Sequence, residues 1–195
     1  MDKYEPEPVK LVLFSFLLGL VSFGLNAGIG IGINTLEGPL MSLGIKAFIE
    51  ELCKFIIVLA VLYRNKNFNE PLDGIVYTVM VAMGFATAKN LMTVYSGATN
   101  MDILMLFTTI LAHASFAALM GYLLGKAKFM KRHETWYIIA ALALATLFHF
   151  IYDFFQFLSA VSGIWIGSIV ALLIVIYLGK QAMDIHHKAS PFKKD

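Results

Sequence analysis

The segment FIEELCKFIIVLAVLY, Phe48–Tyr63, is apolar enough to lie in a bilayer, yet it carries Glu50, Glu51 and Lys54 within five positions. The surrounding chain decides how to read it. Hydrophobic residues make up 59% of the sequence and charged residues 14%, with a mean hydropathy of +0.76. Soluble chains carry about 25% charged residues, so this deficit points to a membrane protein. The net charge of +2 gives no reason to expect nucleic acid as a partner.

Working outward from Phe48–Tyr63, nearly uncharged runs predict an all-α bundle of six transmembrane helices, near 11–35, 39–63, 73–96, 103–125, 136–159 and 162–183. Each reaches the roughly 20 residues that cross a hydrocarbon core. Pro6, Pro8, Pro39, Pro71 and Pro191 all fall outside these runs or at their edges, where a missing N–H does no harm. The first run is too long for a signal-peptide core and is expected to stay as a span. Residues 1–195 are thus expected to form a single transmembrane domain, with any chemistry in or beside the bilayer.

Basic residues orient the bundle. Lys3 and Lys10 precede the first run, and Arg64 and Lys66 separate the second and third. Lys126, Lys128, Lys131 and Arg132 separate the fourth and fifth, and Lys180, Lys188, Lys193 and Lys194 end or follow the sixth. The intervening connections contain only Glu37 and Asp102 as charged residues. This alternation predicts both termini in the cytoplasm of a multi-pass cell-membrane protein. The one cysteine, Cys53, lies within the second run, which excludes an intramolecular disulfide and a cysteine-rich metal site.

Glycines four apart (Gly24/Gly28/Gly32, Gly121/Gly125, Gly163/Gly167) predict close helix packing, and they offer faces through which a homodimer can form. The polar residues left inside the runs are Lys46, Glu50, Glu51, Lys54, Lys89, His113, His149 and Asp153. A central charge costs about 2.5–3.5 kcal/mol on insertion scales unless paired or hydrated. Three of them share a depth. Glu50 follows Pro39 by 11 residues, His113 follows Ile103 by 10, and His149 precedes Ser159 by 10. At 1.5 Å per residue, all three lie roughly 15 Å below one surface. Lys54 is four residues after Glu50 and can neutralise it, and Asp153 is four after His149 and can fix its tautomer. Glu50 and Glu51 differ by about 100° around the helix and cannot aim at the same spot.

An acid and two imidazoles at one level permit water activation, with a glutamate as general base and a histidine donating to an oxyanion. The structural alternatives are a neutralised Glu50–Lys54 pair, a His149–Asp153 clamp between helices, and a buried His113 without a chemical role.

The segments EELCK (Glu50–Lys54), DGIVYTVMVAMGFATAKN (Asp73–Asn90), HASFAALMG (His113–Gly121) and HFIYD (His149–Asp153) resemble, in order, the motifs of the PrsW intramembrane proteases. That family is distantly akin to the type II CAAX prenyl endopeptidases. The resemblance implies a glutamate-dependent, typically bacterial peptidase that cuts a single-span membrane protein such as an anti-sigma factor. It implies Glu50 or Glu51 as general base, His113 assisting the water, His149 stabilising the oxyanion and Asp153 orienting His149, with no cofactor or metal. Lys54 and Asn90 are the supporting residues of these motifs. One position departs from the pattern. The family reads G-F-A-x-x-E-N, whereas here GFATAKN places Lys89 where a glutamate belongs; Thr78 also stands where glycine is commoner. Lys89 can pair with Glu50 or Glu51 and remove a base. A natural inactive relative, a changed specificity and an introduced substitution all account for it.

Two other classes fit midplane charges: a proton-coupled transporter or channel, and a non-catalytic membrane binding protein on a protease-like scaffold. A variant of the enzyme reading gives His113, His149 and a carboxylate to a zinc ion with an open position, without the compact H-E-x-x-H motif.

Overall fold

The computed structural model describes residues 7–30, 38–97 and 103–162, with a few isolated positions beyond. The described chain is helical, without strands. Helix α1 (Val9–Gly30) starts directly after Pro8, whose carbonyl accepts from Leu11 and Val12. Helix α2 (Pro39–Ile57) begins on proline after Gly38, at φ 93°, and continues through a π-helical segment, Val58–Leu62. Helix α3 (Pro71–Tyr95) opens on proline with a capping box between Glu70 and Asp73. Helix α4 (Ile103–Phe129) and helix α5 (Glu134–Ser162) are joined by a 3₁₀ turn at Lys131–His133.

Four helical stretches are long and apolar enough to cross a membrane: Val9–Ile29, Pro71–Tyr95, Met105–Phe129 and Lys131–Leu158. Helix α2 is not among them, because Lys46, Glu50, Glu51 and Lys54 interrupt its apolar run. It is instead accommodated by its neighbours. Its buried residues Ala47, Glu51, Lys54, Phe55, Val58 and Leu62 recur every three or four positions, while Met41, Phe48 and Ile56 are exposed. The expected sixth span, 162–183, falls almost wholly outside the described residues.

The packing order is cyclic: α1 touches α3, α3 touches α4, α4 touches α5, α5 touches α2, and α2 returns to α1. Helices α2 and α3 meet only sparsely across this ring. Phe55, Val58, Leu62, Tyr77, Val81, Met120, Leu124, Ala141 and Ala145 fill the interior on one side of the charged level. Large apolar side chains such as Leu13, Leu17, Val21 and Leu25 on α1, and Trp136, Ile139 and Leu147 on α5, are exposed, as a lipid-facing surface requires.

The basic connections share one end of the bundle. Lys128, at the end of α4, donates to the Tyr63 carbonyl (2.6 Å) and lies 4.2 Å from the Phe68 ring centre. Tyr63 donates to Glu134 at 3.1 Å. Tyr77 contacts both Glu7 and the Asn67 carbonyl, which brings the start of α1 to the same end.

Glycine pairs set the closest approaches, though not all the expected ones. A Cβ on Gly74 would strike the Gly121 carbonyl and the Gly125 nitrogen, and one on Gly19 would strike Val81 and Gly84. A Cβ on Gly24 or Gly28 would meet no atom within 4 Å, so these two do not pack helices together among the described residues. Gly32, Gly163 and Gly167 lie outside the described residues. Gly74→Ala or Gly121→Ala should therefore cost about 1–3 kcal/mol by overpacking and lower the thermal midpoint in detergent. Gly24→Ala should leave it unchanged. Equal midpoints for all three variants would refute the close α3–α4 contact.

Candidate functional site

Four helices of the ring carry the polar residues inward. From α2, adjacent Glu50 and Glu51 diverge around the helix and approach the two histidines from different sides. Glu50 Oε2 lies 3.7 Å from His113 Nε2 on α4 and 3.8 Å from His149 Nε2 on α5. Glu51 faces the other ring nitrogens, with Oε1 2.7 Å from His149 Nδ1 and 3.9 Å from His113 Nδ1. Glu51, Lys54, His113 and His149 are all buried, none more than 2% exposed.

Lys54 and His149 each pair differently from the sequence reading, and Lys89 takes one of the two partners open to it. Lys54 bonds Glu51 at 2.6 Å rather than Glu50, because the three-residue offset brings it onto the buried face that Glu51 occupies. Glu50 is taken by Lys89 of α3, whose Nζ donates to both carboxylate oxygens at 2.7 and 2.8 Å. The short contact to His149 Nδ1 comes from Glu51, so the carboxylate that fixes this ring is Glu51. Asp153 lies 3.4 Å from Nε2, on the side facing Glu50. Asn90 is not drawn into the cluster; its amide donates to the Leu106 carbonyl (2.9 Å) and ties α3 to α4. Lys46 is exposed, and Cys53 is buried without a disulfide partner.

Aromatic rings complete the walls. Phe116 stacks on His149 with centroids 5.1 Å apart and planes at 20°, and Phe85 meets His113 edge-on at 5.5 Å. The two imidazoles lie 4.9 Å apart at 88°. Phe116 and Tyr152 follow His113 and His149 by three residues each, a same-face spacing that could have marked both as part of the site. A cavity of about 150 Å³ opens beside the cluster, lined by Lys89, Met105, Thr109, Ala112, His113, Phe116, His149, Tyr152, Asp153 and Gln156. Glu50 is not in its wall.

Glu50, His113 and His149 each offer one ligand atom, all within 4.8 Å of one another. Donors about 2.0–2.1 Å from a tetrahedral ion lie about 3.4 Å apart, so the 3.7 and 3.8 Å separations from Glu50 need little adjustment, while the two histidine donors, within 4.8 Å of each other, close in by a small tilt of the rings. His149 fits as it stands: Glu51 accepts its Nδ1–H, leaving Nε2 as the donor atom. His113 has Lys54 Nζ 3.1 Å from Nδ1, and an ammonium there would place the ring proton on Nε2. Ligation requires that Nδ1–H find an acceptor instead. Glu51 has the free acceptor for it, a buried Oε2 that makes no hydrogen bond, and a small approach from the present 3.9 Å carboxylate–Nδ1 separation would form the bond. The residues present fit a metal.

Comparison with known proteins places the chain in a family. The family model described as PrsW family intramembrane metalloprotease matches residues 7–179. "Protease PrsW" of Geobacillus kaustophilus is 31% identical over 185 residues, covering 88% of this chain and 78% of that protein. The proteins of the same name from Clostridioides difficile and Bacillus subtilis are each 31% identical, covering 94% and 90% of this chain and 81% and 82% of their own. No solved structure matches. The chain belongs to the PrsW family of intramembrane proteases.

The Lys54–Glu51 pair should support the fold as well as the site. Lys54→Met would leave Glu51 buried without its cation, a loss of about 3–5 kcal/mol, and lower the thermal midpoint in detergent. Adding Glu51→Gln should recover much of it. A single variant as stable as the parent would show that the pair contributes nothing.

Proposed function

From membership of the PrsW family and the meeting of Glu50, Glu51, His113 and His149 inside one helix ring, we propose that this chain is an intramembrane endopeptidase held in a restrained state by Lys89. The convergence of these four side chains from three helices carries the reading. Its substrate class is the single-span membrane protein, with an anti-sigma factor as the type suggested by the family resemblance. Catalysis lies within a cell membrane crossed six times, with both termini cytoplasmic.

Glu50, His113 and His149 would hold a divalent metal, in place of the metal-free mechanism expected from the sequence. When bound, such an ion supplies Lewis-acid polarisation of the carbonyl and a nucleophilic water at neutral pH. The protein's own residues do the rest. Glu51 accepts from Nδ1 of His149 and sets that ring's direction. Lys54 neutralises Glu51 and holds it on the Nδ1 side. Asp153, in the cavity wall, adds a second carboxylate on the side of the imidazoles that Glu50 faces. Phe85 and Phe116 exclude bulk water from the imidazoles, which strengthens every charge interaction nearby.

Lys89 works against this set. Its ammonium spans both oxygens of Glu50 and stands in the cavity wall where Glu50 is absent. The same bridge favours the second reading, a binding protein on a protease scaffold. Cleavage of a panel of single-span proteins decides between them. Lys89→Glu should raise kcat/KM at least about tenfold, equivalent to about 1.4 kcal/mol in the barrier, and Glu50→Ala should abolish cutting in both backgrounds. Retained binding with no turnover in either form, on substrates that an active relative cuts, would support the binding protein.

Topology has its own test, in a Cys53→Ala background. Asn65→Cys should react with an impermeant maleimide only after the cells are opened, and Ser96→Cys in intact cells. The reverse pattern would invert the orientation.

A further inference from the structure

Lys89 has two acidic groups within the space around the cavity. It is bonded to Glu50 through both carboxylate oxygens, at 2.7 and 2.8 Å, and it lines the same cavity as Asp153. Its side chain is 31% exposed and that of Asp153 is 25% exposed, so both have room to move. Glu50, by contrast, is 12% exposed and is shared between Lys89 and the positions facing the two imidazoles.

An ammonium and a divalent cation cannot occupy Glu50 together at low cost. Any ion bound by Glu50, His113 and His149 would sit next to Nζ, within a few ångströms and in a poorly screened interior. With neutral imidazoles, Glu50, Glu51 and Asp153 face Lys54 and Lys89, so a divalent ion takes the net charge from −1 to +1 wherever Lys89 sits. What the position of Lys89 decides is local: on Glu50 its ammonium adjoins the ion while Asp153 lacks a cation, whereas on Asp153 the two positive charges are separated and each has a carboxylate.

We propose that Lys89 is an internal competitor for the metal, seated on Glu50 when the site is metal-free and transferred to Asp153 when a divalent cation binds. The inference rests on the three-ligand reading above and adds a regulated affinity to it. Metal uptake then includes breaking one buried ion pair and making another across the cavity. The ion is held more weakly than its three ligands alone would hold it, and an acidic group entering the cavity could trigger uptake by drawing Lys89 off Glu50.

Cobalt(II) titration of the full chain in detergent tests this without any substrate, by the visible bands of tetrahedral cobalt. Lys89→Gln and Lys89→Met, chosen as two uncharged replacements of similar length, should each bind Co²⁺ about tenfold or more tightly than the parent, in the range of changes around a metal site's immediate ligands. Asp153→Asn should weaken binding by about tenfold in the presence of Lys89 and have no effect on the Lys89→Gln chain, because the seat then has no occupant. Equal affinities with and without Lys89 would overturn the competition. Equal weakening by Asp153→Asn in both backgrounds would make Asp153 a ligand and overturn the transfer. Glu50→Gln in the Lys89→Gln chain separates the levels: loss of binding there upholds the three-ligand centre whatever Lys89 does. Absence of cobalt binding in every form would remove the centre and this inference together.

Discussion

The Glu51 carboxylate is the hub on which the rest of the interior is arranged. It is fully buried, at 0% exposure, in a helix that must live among lipid-facing neighbours. A charge in that position persists only with partners at hydrogen-bonding distance. It has two, Lys54 from its own helix at 2.6 Å and His149 of α5 at 2.7 Å. The first neutralises it and the second joins α2 to α5. With Glu51 so held, the neighbouring Glu50 is rotated by about 100° and turned to the opposite ring nitrogens. The divergence of two adjacent acids, which forbids a single shared target, is what lets them flank a pair of imidazoles.

This arrangement explains why the ring closes through α2. Helix α2 is too charged to stand alone in a bilayer, so its polar face must be covered by protein. Helices α4 and α5 cover it with His113 and His149, and Phe85 of α3 places its ring 4.8 Å from Lys54 Nζ. On the other side, the contact of Gly74 with Gly121 and Gly125 draws α3 onto α4, which fixes the level of Lys89 relative to His113. Small residues and buried charges thus have complementary tasks. The glycines set distances between backbones, and the charges set which faces meet.

Much of this was legible in the chain. The start of α2 falls on Pro39 as expected and that of α3 on Pro71, two residues before the expected 73, and a common level for Glu50, His113 and His149 could be counted from span ends because a helix rises by a constant step. Partner choice was not legible. Lys54 lies three residues from Glu51 and four from Glu50, and both spacings permit a pair; only burial against α4 and α5 selects Glu51. The role of Gly24 and Gly28 was misleading for a related reason. A four-residue repeat of small residues says that a backbone can approach, and it says nothing about which backbone is there. That Lys89 could reach Glu50 or Glu51 was legible from its place on the third run; that it takes Glu50 depends on how α3 sits in the ring.

The sparse contact between α2 and α3 gives the substitution at position 89 its meaning. Across that gap, Lys89 meets Glu50 with a short bidentate contact, so its charge governs whether the two helices attract or repel at the level of the histidines. The glutamate of the family pattern would set two carboxylates against each other there. Like charges at that separation are tolerable only with a cation between or beside them. Lysine supplies that positive charge covalently, from the helix itself. The same ammonium that satisfies Glu50 also withholds it from the histidines. A single side chain therefore makes this level of the interior self-contained: the ammonium that joins α3 to α2 also balances Glu50 where it faces the two imidazoles.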